Sequence, residues 1–330
     1  MTIEGGTRRR TMRRLLPWLR WGTVAVLVPV LVLDLAFPPP LPRASGSATV
    51  VTAADGTPLR AFADDDGVWR YPADPASVSP LYLQALLNYE DRWFYRHPGV
   101  NPLALLRAAG QWLRSGGIVS GGSTLTMQVA RILDGGDTRS IAGKLRQIAR
   151  ALQLEARLSK DQILQLYLER APYGGTIEGV EAASWAYLGK PASGLSHAEA
   201  ALLAVLPQAP SRLRPDRHPD ASRAARDKVL ARMQALGTWT AAEVEDARIE
   251  PVVARSLQVP VHAALLAQRL RQARPGEQRI ATTLDAELQR ALEARVAAYF
   301  DALPPRTSAA LLVVDNASMD AHAYGGSVAF

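Results

Sequence analysis

The pattern of the chain opens on an apolar run. From Trp21 to Phe37 it is mostly Val, Leu and Ala, broken only by Pro29 and Asp34. Counted from Leu15, the stretch is about as long as the ~20 residues a helix needs to cross ~30 Å of hydrocarbon. Arg8, Arg9, Arg10, Arg13, Arg14 and Arg20 precede or begin it, which marks that end as cytoplasmic and sends the rest of the chain outward. A cleaved signal peptide is the rival reading. Against it stand the length of the segment and the run Pro38-Pro39-Pro40-Leu41-Pro42, where a small-residue cleavage site would be needed. Asp34 is costly at mid-span, but near the outer interface it can reach headgroup water.

Beyond the run, the pattern changes several times. Residues 48–62 read as a hairpin turning at Asp55-Gly56, and residues 64–80 as loop. From 78 to 215 the period is helical. Ser159 with Gln162, and Ser196 with Glu199, fit capping boxes ahead of apolar runs; Pro207 and Pro210 stop the second helix. A glycine-containing turn is expected over 173–178 and a further helix over 179–188. Residues 220–273 read as charged amphipathic helices, with Thr240 and Glu243 as another cap, and 284–302 as one more helix. Residues 309–315 and 321–325 read as two strands around Asn316. A lone hairpin is not stable in water, so this pair reads as the start of a larger sheet that the sequence, ending at Phe330, does not build.

Composition narrows the chemistry. The 330 residues include no cysteine, which excludes disulfides, zinc-thiolate sites and thiol nucleophiles. The net charge of +7 favours anionic lipid or an anionic substrate. No nucleic-acid motif accompanies it, and the outward topology also argues against nucleic acid as a partner.

Three clusters carry candidate chemistry. Leu83, Leu86, Leu87, Glu90 and Phe94 fall at i, i+3, i+4, i+7 and i+11, one face of a helix. Glu90 on that stripe should have a pKa raised by desolvation, as a general base or acid near neutrality requires; a structural acid paired with Arg92 is the alternative. In residues 121–131, glycines precede Ser123, Thr124 and Thr126 at a helix start, where free N–H groups and hydroxyls can hold an anion; a plain Ser/Thr N-cap looks the same. Lys144 and Gln147 lie one turn apart on the next helix, with Leu145, Ile148 and Leu152 on a different face towards the core. Lys144, Arg146 and Arg150 also fit an ordinary solvated basic face.

Taken in order, these pieces resemble one family. Glu90-Asp91-Arg92-Trp93-Phe94-Tyr95-Arg96-His97-Pro98-Gly99 resembles the first signature of the peptidoglycan glycosyltransferases, the glycan-polymerising domain of class A penicillin-binding proteins. Gly122-Ser123-Thr124 through Gln128 and Arg131 resembles the second. Lys144 to Glu155, with Ser159-Lys160 and Ile163 to Leu168, resembles the third. Gly179-Val180-Glu181-Ala182-Ala183 to Lys190 resembles the fourth, and Leu195-Ser196 to Ser211 the fifth. The turn Ala171-Pro172-Tyr173-Gly174-Gly175 and the segment Arg212-Leu213-Arg214-Pro215 resemble the C-type paralogue in particular.

The resemblance implies a mostly helical, lysozyme-like domain after one transmembrane helix, with a short incomplete β segment at the C-terminus. It implies a location on the outer face of a bacterial cytoplasmic membrane. It also implies lipid II and the growing glycan strand as substrates, with membrane lipid and cell-wall synthesis proteins as partners. Glu90 takes the position of the general base, and Gln147 that of a second catalytic glutamate. Asp91, Ser123, Thr124, Gln128, Arg131 and Lys144 take substrate-binding positions, with Arg131 and Lys144 supplying cations for a diphosphate leaving group. No cofactor is required, although family members can use a divalent metal at the diphosphate.

The chain then divides into a basic tail (1–14), a signal-anchor helix (15–37), a linker and hairpin (38–77), the glycosyltransferase domain (78–215), a helical linker (216–279) and the start of a truncated transpeptidase domain (280–330). A Ser-x-x-Lys nucleophile motif does not occur in the sequence, so transpeptidase activity is not expected.

Three positions depart from the family pattern. Gln147 cannot carry charge or serve as an acid, Gly143 removes an arginine that often precedes the lysine, and Met127 replaces a glutamine with an expected effect on packing alone. Glu155 is expected to be structural, and His97 to fix its loop. Residues 101–113 mix leucines and Trp112 with Arg107, which fits either buried core or a segment dipping into the bilayer. The alternative functions are a lysozyme-like glycan hydrolase and a weakly catalytic scaffold for cell-wall synthesis.

Overall fold

The computed structural model describes residues 34–42, 48–103, 107, 122–135, 140–251, 254, 260–300, 307 and 309–326. Of the expected anchor, only residues 34–37 fall within this set, and of the segment 101–113 only 101–103 and 107. Among the described residues no helix is long and apolar enough to cross a membrane.

The hairpin forms as expected: β1 (Thr49–Thr52) pairs antiparallel with β2 (Pro58–Phe62) across the Asp55-Gly56 turn. Sequence reasoning missed its third strand, β6 (Arg279–Ala281), which lies parallel to β1. The segment expected to open a separate domain thus closes the sheet begun by the hairpin. The loop expected over 64–80 contains β3 (Trp69–Arg70), which pairs with β5 (Ile177–Glu178), and β5 pairs in turn with β4 (Pro172–Gly174). The expected glycine turn is therefore a tight hairpin.

The helical region holds α1 (Pro80–Glu90), α2 (Leu125–Asp134), α3 (Ile141–Arg157), α4 (Lys160–Arg170), the short α5 (Val180–Ala183) and α6 (His197–Val205). Both expected capping boxes are formed, on Ser159 for α4 and Ser196 for α6. Nearly every residue of α6 is buried, as expected of a helix that is apolar all round. It packs against α1, α7 (Pro219–Ala235) and α8 (Ala241–Ile249), with Thr240 capping α8 as expected. Around this central helix a single core extends from Val50 to Ala247. The chain continues through α9 (Ala264–Ala273) and α10 (Ala286–Phe300) to an antiparallel pair, β7 (Leu311–Val314) and β8 (Ala321–Gly325). This pair packs on α10, where the Gln289 amide bonds the backbone of Tyr324 in both directions.

One expectation about α3 is overturned. Leu145 is 61% exposed and Leu152 46% exposed, so these leucines do not face the core. Ala151 and Leu154 bury that helix instead, together with Gln147.

Arg226 is fully buried on α7. Its Nη1 and Nη2 donate to the carbonyls of Glu250 (2.9 Å) and Arg248 (3.1 Å), and its Nε to Asp227 (2.9 Å). A cation at the C-terminal end of α8 meets both its free carbonyls and its dipole. Arg226→Met keeps the volume and strands two acceptors, so thermal unfolding should show a loss of about 1–3 kcal/mol. An unchanged melting temperature would show that water replaces the guanidinium.

Candidate active site

Glu90 is the last residue of α1, half-buried at the edge of the core. The neighbouring acid, Asp91, follows it directly; α2 brings the Gln128 amide and the charge of Arg131, and the turn after α6 brings the last polar contact. Arg92, the expected partner under the structural alternative, instead lies 5.7 Å from the Trp93 ring centroid. Two amides hold the Glu90 carboxylate: Gln128 Nε2 donates to Oε2 (2.7 Å) and Gln208 Nε2 to Oε1 (2.6 Å). Burial pushes the Glu90 carboxyl upward and Asp91 adds to this, while the two amides and the charge of Arg131 pull it back. The net direction is upward, as a base working near neutrality needs.

Asp91 turns the other way. Its Oδ2 accepts the backbone N–H of Leu125 (2.9 Å), and its Oδ1 faces His97 Nε2 (2.9 Å). An acid at the start of α2 satisfies a free N–H and suits the helix dipole. In this geometry Asp91 and His97 join the first motif to the second, and Asp91 positions structure rather than presenting an open carboxylate. Gly99 completes that junction. Its φ of +81° and a Cβ that would lie 2.7 Å from Glu155 Cγ both demand glycine.

The hydroxyls at the start of α2 divide between two roles. Thr124 is buried and acts as an N-cap: its Oγ1 donates to Gly99 O (2.5 Å) and accepts from Met127 N (3.1 Å). This is the plain capping arrangement that the sequence left open. Ser123 instead accepts a hydrogen bond from Lys144 Nζ at 2.6 Å. Thr126 donates to Glu155 (2.6 Å), which also binds Lys160 (2.6 Å), so Glu155 sits in a structural cluster. Met127 is fully buried.

Lys144 and Gln147 meet as their spacing requires. Lys144 Nζ donates to Gln147 Oε1 at 2.9 Å, and Gln147 Nε2 donates to Met127 O at 2.6 Å. Both ends of this buried amide are occupied, one by Lys144 and one by the Met127 carbonyl, so Gln147 ties Lys144 to α2. Burial and the charge of Arg131 hold the Lys144 ammonium below its ordinary pKa. Arg131 itself is exposed on α2. Arg146 and Arg150, from the same basic stretch, pair with Asp134 (2.7 and 3.3 Å).

Gln208 is the site residue that sequence reasoning did not single out, although the fifth motif contains it. Its turn, Leu206–Gln208, packs against β4. There Gly174, at φ +110°, lies so close to Arg214 that a Cβ would stand 2.8 Å from Cγ. Arg214 is held by a fork to Asp216 (3.0 and 2.5 Å). The two segments that resemble the C-type paralogue thus interlock beside the turn bearing Gln208. Gln208→Ala removes one amide from Glu90, and a reaction that depends on the Glu90 carboxylate should slow about 10- to 100-fold, the worth of one hydrogen bond to a charged group. A rate within twofold of wild type would remove Gln208 from the site.

Among the described residues no three His, Asp or Glu side chains converge to hold a metal ion. Beside Lys144, the position where a carboxylate would serve as a ligand is the amide of Gln147, already engaged at both ends.

The site thus sets a half-buried carboxylate on α1 beside the cations Arg131 of α2 and Lys144 of α3. The transglycosylase family model matches residues 55–234, and the chain belongs to that family. It is similar to penicillin-binding protein 1C of Escherichia coli K12, with 53% identity over 313 residues, 93% of this chain and 40% of that protein. It is also similar to penicillin-binding protein 1A of Pseudomonas aeruginosa, 38% identical over 250 residues, 72% of this chain and 30% of that protein. A third relative, penicillin-binding protein 1A of Aquifex aeolicus, is 39% identical over 173 residues, 52% of this chain and 24% of that protein. The chain therefore spans less than half the length of these relatives.

Proposed function

We propose that this protein is a peptidoglycan glycosyltransferase that polymerises lipid II into glycan strands. The observation that carries the reading is the Glu90 carboxylate, desolvated and held on both oxygens by Gln128 and Gln208, next to a cationic group that a hydrolase would not need. Glu90 removes the proton from the acceptor 4-hydroxyl. That oxygen attacks the anomeric carbon of the donor muramic sugar, the bond to the diphosphate breaks, and configuration inverts. The proton ends on Glu90 and the charge on undecaprenyl diphosphate, where Lys144 and Arg131 meet it. Ser123 and Gln147 fix Lys144 for that contact. The residues around Lys144 do not fit a resident metal, and no step depends on one; a divalent cation would arrive on the substrate's own diphosphate.

The apolar segment 15–37 would hold the enzyme at the outer face of the cytoplasmic membrane, where lipid II resides. Membrane lipid is thus a partner, and cell-wall synthesis proteins would be further ones. Labelled lipid II given to the purified protein should yield a polymer that a muramidase digests. Shortening of preformed glycan instead would identify a hydrolase, and no turnover in either assay would leave a scaffold.

A further inference from the structure

The anchor's acidic residue has a partner. Asp34 Oδ1 accepts hydrogen bonds from Arg157 Nη1 and Gln153 Nε2, both at 2.8 Å, and Oδ2 accepts from Arg157 Nη2 at 2.5 Å. Three residues on, the Phe37 carbonyl accepts from Arg150 Nη1 (2.5 Å) and Gln153 Nε2 (3.1 Å). Arg146, Arg150, Gln153 and Arg157 recur at i, i+4, i+7 and i+11, a single stripe along α3. At its near end the stripe reaches Asp134, the last residue of α2, through Arg146 and Arg150. The chain leaving the apolar segment is therefore bonded to α3, and through Asp134 to the end of α2. These are the two helices that carry Lys144, Gln147, Gln128 and Arg131.

The surroundings point to a lipid surface. Leu35 and Phe37 are exposed beside the clamp, and Ile141, Leu145 and Leu152 are exposed on α3 itself. Apolar groups bordered by arginines suit a bilayer interface. An exposed ion pair adds little to folding stability, and at the outer end of a spanning segment headgroup water could meet the acid without it. Stability alone therefore does not account for Asp34, whereas a bidentate fork fixes one geometry.

We propose that Asp34 is a positioning residue, and that its clamp by Arg157 and Gln153 sets the height and tilt of the catalytic cleft over the bilayer. The inference rests on residues 15–37 being an anchor and on lipid II being the substrate. Lipid II presents its diphosphate at headgroup level, so only a cleft held at that level can take it. Loosening the clamp lowers the fraction of enzyme able to bind, which raises apparent KM and spares kcat.

The test uses the full chain in vesicles containing lipid II and compares wild type, Asp34→Asn, Arg157→Gln and the exchanged pair Asp34→Arg with Arg157→Asp. Either single change should raise KM about fivefold, the upper worth of an exposed ion pair, and the exchange should restore most of it. Because the chain has no cysteine, a single Leu145→Cys can carry a depth-sensitive spin label, and its depth should shift in Asp34→Asn and return in the exchanged pair. Unchanged KM and depth in Asp34→Asn, with the protein retained in vesicles after an alkaline carbonate wash, would overturn the clamp and leave the anchor standing. Release of wild type by that wash would overturn both.

Discussion

Glu90→Gln is expected to slow polymerisation about 10²–10⁴-fold, the usual worth of a positioned base. The substitution keeps shape and hydrogen-bonding capacity, since the amides of Gln128 and Gln208 can each turn to suit a neutral partner. Lipid II binding, read by a fluorescent analogue, should therefore persist. Stability should move in the opposite direction from rate. Burial raises the Glu90 carboxyl above its ordinary value. Its stabilising contribution is therefore fully present below the unfolded pKa and is lost as pH rises through the folded one. At neutral pH the charged, desolvated form is a burden, and Glu90→Gln should melt no lower than wild type. A variant that is both inactive and clearly destabilised would mean that Glu90 is structural.

Lys144→Met should have the second largest effect. Lys144 is pinned by Ser123 and Gln147, so its charge is in place before the diphosphate develops its own. Loss of one preorganised group of this kind typically costs about 10²–10³-fold in kcat. Its neighbour makes a sharper control. Gln147→Glu restores the residue usual in the family, but a glutamate carboxylate cannot donate to the Met127 carbonyl as the amide does. Two oxygens would then face each other in a buried place, at a cost of about 1–3 kcal/mol. The change should lower the melting temperature and leave polymerisation no faster, whereas a faster enzyme would show that the missing charge limits the reaction.

How far these features were legible in the sequence depended on how local their causes are. The caps at Ser159, Ser196 and Thr240 need only a residue and its third neighbour, and all three formed. The apolar stripe drew attention to Glu90 but left a structural acid open, and its role as base came from the resemblance of residues 90–99 to the first motif. The stripe was imperfect, however: the deepest positions of α1 are Tyr82, Ala85 and Leu86, and Phe94 lies beyond its end. Leu145 and Leu152 show the limit of periodicity. A 3.6-residue period locates an apolar face but does not say whether core or lipid covers it. Pairings between distant segments were out of reach, as with β6 against β1, and with Gln208 reaching Glu90 from 118 residues away. Gln147 read as a deficit because its gain, the bond to Met127 O, depends on two helices meeting.

The most direct test of Glu90 as the desolvated base is the single-turnover rate of glycan linkage formation as a function of pH. The base must be unprotonated to act, so the rate should fall as pH drops through one ionisation lying above the ordinary glutamate value of 4.5. That acid limb should be absent from whatever residual activity Glu90→Gln retains. A wild-type rate that stays flat through that range, or an acid limb that survives in Glu90→Gln, would contradict it.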